Sequence, residues 1–206
     1  MVDVQIIEQM MQKIERSNQE NPGRSSIPFL RRLGLFSASS LKVLYALASD
    51  PMRSIYQREA AREAGVSVGS ANRLLRSFLE WGLVERDKRG KLNLYRFNVD
   101  NIVARQLKIL FNILELEELV NELKPLVRRV ILFGSCAEGR DVKESDVDLF
   151  ILTNEKELVS KIVAQHRSRR RLAPIIANAD DFTGLRDENK PFYDEVMRGI
   201  TLWEME

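Results

Sequence analysis

The chain has one cysteine, Cys136, and one histidine, His166, among 206 residues. A lone cysteine cannot close an intramolecular disulfide, which fits a reducing cytoplasm. One cysteine with one histidine excludes a zinc site of the usual Cys/His type. No apolar run approaches the roughly 20 residues of a membrane span. The start, Met1-Val2-Asp3-Val4-Gln5, lacks the basic head and apolar core of a signal peptide. An excess of either charge is also lacking: 32 Lys and Arg face 30 Asp and Glu, for a net charge of +2. Any surface for nucleic acid must therefore be local rather than a basic coat. There is no internal repeat or low-complexity block. What remains is an ordinary globular composition, 44% hydrophobic, with room for one large or two small domains.

The most informative stretch runs from Val130 to Leu152. Val130-Ile131-Leu132-Phe133 is short and β-branched enough for a buried strand. It stops at Gly134-Ser135. A polar connection follows, and a second apolar run opens with Asp146 and Asp148 before Leu149-Phe150-Ile151-Leu152. Side chains at i and i+2 of a strand share a face. Asp146 and Asp148 are therefore expected side by side, with Phe150 and Leu152 further along. Two carboxylates so placed repel unless a cation lies between them. Mg²⁺ accepts carboxylate oxygens and shares its remaining shell with phosphates and water. Gly134 permits close backbone approach. Ser135 can cap a short helix and present its hydroxyl and amide to an anion.

Gly134-Ser135, ten residues, then Asp146-x-Asp148, with Gly139 between and strands on both sides, resembles the minimal nucleotidyltransferases of the DNA polymerase β superfamily. The resemblance covers roughly the last 80 residues in order of elements. It implies a nucleoside triphosphate, with ATP the expected one, held by Gly134 and Ser135, and Mg²⁺ held by Asp146 and Asp148 as the catalytic acids. The family also carries a third carboxylate on the strand after the next helix, where it helps activate the attacking hydroxyl. Here that strand is expected at Leu172 to Asn178, which contains no acid, and Asp180 and Asp181 come only after it.

Upstream, Ser39-Ser40 is read as the cap of a helix from Leu41 to Ala48, ended by Asp50-Pro51. Ser54 opens a second helix, Ile55 to Ala64, stopped by Gly65. Ser67 caps a third that runs to Trp81 and ends at Gly82. Leu83 to Phe97 alternates about Gly90 as a hairpin. This order resembles a winged helix-turn-helix: Ala61 is small where two helices cross, Gly65 makes the turn, and Ala71-x-x-Leu74-Leu75 forms the inner face. The resemblance implies that the helix after Ser67 enters the DNA major groove, with Ser70, Asn72 and Arg73 towards the bases. Arg86, Lys88, Arg89 and Lys91 on the wing suit phosphates. A module kept only for packing or dimerisation is the other reading.

The remaining segments connect or close. Val2 to Ser17 has amphipathic helical spacing and suits either packing or a dimer arm; Asn18 to Pro28 reads as a linker. Asn101 to Leu123 reads as one long helix, either a linker or a dimer seam. Asn154 caps a helix from Glu155 to about Arg167, and Arg167-Ser168-Arg169-Arg170-Arg171 follows, as dipole complement or basic lip. A helix from about Asn189 to Gly199 and a strand from Ile200 to Glu204 close the chain.

The expectation is thus an α/β (α+β) protein: an N-terminal helix and linker at 1–36, a winged helix at 37–99, a connecting helix at 100–125, and a nucleotidyltransferase-like mixed sheet with flanking helices at 126–206. The fusion implies a cytoplasmic prokaryotic protein that binds double-stranded DNA and is expected to be a homodimer. Two functions stay open. One is nucleotidyl transfer to a hydroxyl acceptor, on a partner protein or a small molecule. The other is a DNA-binding transcriptional regulator whose degenerate nucleotidyltransferase domain senses nucleotide or only mediates assembly.

Overall fold

Ser37 begins the described chain: its hydroxyl accepts the Ser40 amide at 3.2 Å, so the first helix, α1 (Ala38–Ala48), starts earlier than the expected Leu41. The structure is a computed structural model that describes residues 37–90 and 92–205. The expected helix Val2 to Ser17, the linker that follows it, and Lys91 lie outside the described residues.

Ile55 does not start a helix. Ile55 and Tyr56 form a short strand, β1 (Ile55–Tyr56), and α2 (Gln57–Ala64) begins one residue later. The β-branched Ile55 is 2% exposed and pairs with Tyr95, which rewards an extended backbone there. The Tyr56 amide donates to Glu59 Oε2 at 2.8 Å and sets the new start of α2. Gly65 then turns the chain with φ +63°, the left-handed conformation that glycine adopts freely. The Ser67 hydroxyl accepts the Ser70 amide at 3.1 Å and caps α3 (Val68–Glu80), as expected. Ala71, Leu75 and Phe78 are its buried stripe. The wing follows as β2 (Val84–Arg89) and β3 (Leu92–Phe97), in a sheet of order β1-β3-β2.

The long helix expected from Asn101 is broken. α4 (Ile102–Glu115) and α5 (Glu117–Leu123) meet at Leu116. The Leu116 amide bonds Ile113 at 3.1 Å, a tightened last turn. Leu116, Leu119, Val120 and Leu123 recur at three and four residues and lie in one core.

The C-terminal part is a four-stranded mixed sheet of order β6-β5-β4-β7. Its elements run β4 (Arg129–Phe133), α6 (Gly134–Glu138), β5 (Val147–Leu152), α7 (Lys156–Gln165), β6 (Leu172–Ala177), α8 (Ala179–Glu188), α9 (Lys190–Met197) and β7 (Ile200–Glu204). β5 and β6 are parallel; β4 runs antiparallel to β5 and β7. Val130, Leu132, Val147, Leu149 and Ile151 face α5 and α7, where Val159 and Val163 meet them. Ile131, Phe133 and Phe150 face the other way, towards Phe182, Phe192 and Val196 of α8 and α9. Helices on both faces explain why these strands read as continuous apolar runs. α7 starts at Lys156 rather than Glu155, and the Thr153 hydroxyl, not Asn154, accepts the Glu155 amide at 2.9 Å. α8 was not anticipated; Asn178 and Asp181 form its capping box. Among the described residues no helix is long and apolar enough to cross a membrane.

Candidate functional site

β4 ends at Phe133, whose Cα partner on β5 is Asp148. Gly134 follows with φ +65°, and a Cβ at this position would lie 2.5 Å from Asp148 Oδ2. Glycine is therefore required on two counts, backbone sign and carboxylate approach. The short helix α6 starts at Gly134 itself, so Ser135 lies in its first turn rather than capping it. Asp148 shares the β5 face of Phe150 and Leu152, as the period of two predicts. It is partly buried.

Asp146 stands just before β5. Cys136, fully buried on α6, donates its thiol to the Asp146 carbonyl at 3.3 Å. Burial first, and the neighbouring Asp141 charge second, push that thiol up to about 11, so it stays protonated and serves as a clamp. The Asp146 carboxylate is gripped by the residue just before β6. Arg171 Nε donates to Oδ1 at 2.8 Å, and Arg171 Nη2 pairs with Oδ2. These hydrogen bonds hold the Asp146 carboxyl below its ordinary range. The Arg171 carbonyl also accepts the Val147 amide at 2.9 Å, so this arginine brackets the Asp-x-Asp from two sides.

Asp148 is pushed in the opposite direction. Burial raises its proton affinity most, followed by the charges of Asp146 and Glu195, with Arg171 opposing. Glu195 is on α9, one turn from Phe192, whose ring stands edge-on to Phe133 at 5.8 Å. That packing carries α9 over the end of β4 and brings Glu195 towards Asp148. Sequence reasoning missed both Arg171 and Glu195. The arginine run was visible but its target was not, and Glu195 carries no local signature.

Asp180 and Asp181 do not reach the site. Asp148 pairs in register with Ala173, and Leu152 with Ala177, so the acids after Ala177 lie at the far end of the parallel strands. Asp181 is engaged there with Lys156 and the Asn178 amide. Among the described residues no group of three His, Cys, Asp or Glu side chains is placed to hold a metal. Asp146 and Asp148 are a two-carboxylate, all-oxygen donor set beside a glycine that leaves room. That set fits a hard divalent cation whose other ligands are phosphate and water.

The residues expected to face DNA are on separate elements. Ser70 and Arg73 are one turn apart on α3, with Arg73 Nη2 3.4 Å from Ser70 Oγ. Asn72 is half-buried beside them. Arg76, exposed one turn beyond Arg73, is a further cation on this side that the sequence reading passed over; the Arg73-x-x-Arg76 spacing was its signal. On β2, Arg86 and Lys88 share one face. Arg89 falls on the other, where it pairs with Asp87 at 3.2 Å, and Glu85 pairs with Arg96 at 2.6 Å. The wing therefore has a cationic face and a neutralised one.

Residues 113–200 match the nucleotidyltransferase domain family, and residues 40–88 match the IclR helix-turn-helix domain family. The chain joins a helix-turn-helix domain to a nucleotidyltransferase domain. No curated protein matches it. Among solved structures, the chain is similar to Sso10a-2, a DNA-binding protein from Sulfolobus solfataricus, at 16% identity over 41% of this chain and 94% of that one, with a TM-score of 0.29. TrmBL2, an archaeal chromatin protein, aligns at 16% identity over 87% of this chain and 75% of that one, with a TM-score of 0.29. Human N-acetylserotonin methyltransferase aligns at 18% identity over 47% of this chain and 36% of that one, again with a TM-score of 0.29. Scores this low carry no argument about the nucleotidyltransferase or helix-turn-helix domain.

Proposed function

We propose that this protein is a DNA-binding regulator whose nucleotidyltransferase domain binds a nucleoside triphosphate, ATP in the first instance, with Mg²⁺, and that nucleotidyl transfer by the chain alone is slow. The observation that carries this reading is Ala173. It stands beside Asp148 on β6, the strand on which a third carboxylate would be needed, and its methyl group cannot accept a proton. Asp146 and Asp148 would hold the cation, and Gly134 with Ser135 the phosphates. The cation would neutralise phosphate charge between nucleotide and carboxylates. For it to reach both acids, Arg171 must release Asp146. A freed guanidinium matches phosphate geometry. Ser70, Asn72 and Arg73 would meet bases, and Arg86, Lys88, Arg89 and Lys91 phosphates. Val103, Leu110 and Leu114 form an exposed apolar stripe on α4, which supports the expected homodimer.

Glu195 favours a second reading. Its charge already acts on Asp148, and a modest movement of α9 would bring a base to a hydroxyl acceptor, supplied by a partner protein or a small molecule. Two measurements separate the readings. Thermal melting with Mg²⁺ and each of several nucleoside triphosphates should show stabilisation that Asp146→Asn with Asp148→Asn removes. An unchanged melting curve with every nucleotide would end both readings. Incubation with labelled ATP and the product of the neighbouring gene should show little transfer. Robust transfer that falls by about 10²–10⁴-fold in Glu195→Gln would establish the second reading instead.

A further inference from the structure

Three consecutive arginines join the two halves of the molecule. Arg171 holds Asp146 of the proposed cation site. Arg170 reaches inward: it donates to Asp141 at 2.6 Å, to Asn112 at 3.0 Å and to Glu115 at 3.0 Å. Arg169 reaches the helix-turn-helix domain. Its guanidinium lies 5.2 Å from the centre of the Tyr45 ring and also donates to the Tyr45 hydroxyl. Tyr45 is on α1 and donates in turn to Glu115 at 2.5 Å. Beyond the end of α1, Arg53 pairs with Glu59 and Glu63 of α2, the helix that packs on the DNA-facing α3. Polar contacts thus run from Asp146 through the arginines and Glu115 to Tyr45 on α1; from there the chain itself leads to Arg53, and α2 packs on α3.

At the start of this route, a guanidinium holds the carboxylate that a cation would need. Arg171 engages both Asp146 oxygens, and a divalent cation at the same carboxylate would repel its guanidinium. Cation and arginine therefore compete for Asp146. Arg170 is pinned, with a side chain 12% exposed, whereas the Arg169 side chain is 62% exposed. A cavity of about 490 Å³ beside Tyr45, Phe111, Glu115 and Arg169 gives the Arg169 end room to move.

We infer that Arg169-Arg170-Arg171 couples the two sites, so that Mg-nucleotide at Asp146 and Asp148 and duplex DNA at the helix-turn-helix domain change each other's affinity. This rests on the regulator reading above. Coupling between two binding equilibria is reciprocal: each ligand must shift the other's Kd by the same factor.

The test uses the full chain, a fluorescent random-sequence duplex at fixed low salt, and ATP with free Mg²⁺ held constant. Each ligand is titrated alone and then in the presence of the other. The expected factor is about fivefold or more in either direction, equal for both ligands. Asp146→Asn with Asp148→Asn should bring the effect of ATP on DNA binding to unity, which excludes simple ionic competition by ATP. Arg169→Ala and Tyr45→Phe should each shrink the factor towards one while the Kd for either ligand alone stays unchanged. Both ligands binding with a factor of one would overturn the inference and leave the regulator reading intact. A full factor retained in both Arg169→Ala and Tyr45→Phe would also overturn it. Failure of either ligand to bind alone would overturn the regulator reading, and the inference with it.

Discussion

Gly134 and Asp148 are packed so closely that the smallest side chain at 134 would meet Asp148 Oδ2 at 2.5 Å. Gly134→Ala should therefore lose stability and site together. The left-handed backbone alone should cost about 1–2 kcal/mol, read as a lower urea midpoint. Stabilisation by Mg-ATP should disappear in the same variant, because the Asp148 carboxylate must shift to make room. An alanine variant with the parent's midpoint and an intact nucleotide response would show that the approach is unimportant.

Asp148 should be costly to the folded protein at neutral pH. Its folded-state proton affinity is raised by burial, Asp146 and Glu195. A group with a raised folded pKa favours the folded state below its unfolded value, and that advantage is lost as pH rises through the folded value. Asp148→Asn should accordingly melt higher than the parent near pH 7. The difference should vanish as pH falls below the ordinary carboxylate range. A variant that melts lower at pH 7 would assign Asp148 a structural role.

Asp141 should be a stability hot spot outside the proposed site. It is 1% exposed and holds Lys108 at 3.0 Å and Arg170 at 2.6 Å. Lys108, itself 3% exposed, also donates to the Ala48 carbonyl at 2.7 Å. Removing the shared anion leaves two buried cations with too little charge around them. Asp141→Ala should cost about 3–5 kcal/mol in urea unfolding, the range for breaking a buried ion pair. A cost below about 1 kcal/mol, the surface range, would mean that water reaches the network.

The wing should contribute to DNA binding through one face. Arg86→Ala with Lys88→Ala should weaken binding on all sequences and flatten the plot of log K against log salt by about 2. Arg89→Ala should change the slope less, since Asp87 already engages that guanidinium. Asn72→Ala or Arg73→Ala should instead alter sequence preference. Equal effects of Arg86, Lys88 and Arg89 in competition assays would remove the two-faced account of the wing.

Much of this architecture was legible from local pattern. The alternation of β5 by itself places Asp148 with Phe150 and Leu152, because a strand's period of two assigns faces without reference to partners. Ser67 and Gly65 announced the start of α3 and the turn before it, because caps and left-handed turns depend on a few adjacent residues. Ile55 misled for the same reason in reverse: its strand exists only because β3 offers Tyr95 and Leu94 alongside. Leu116 misled too, since no proline or glycine marks the break in the long helix.

The composition, the Gly-Ser and Asp-x-Asp spacing and the order of helices and strands determined what kind of domains the chain contains. Which charges meet was decided only by tertiary structure. Arg169, Arg170 and Arg171 are neighbours in sequence, yet they end on Tyr45, on Asp141 and on Asp146, the first of these partners 124 positions away. The packing of α9 against Phe133 brings Glu195 towards Asp148, and the register of β6 puts Ala173 beside it. Side-chain periodicity specifies which face a residue occupies. Its partner across that face depends on strand order, register and helix packing, which are properties of the whole chain.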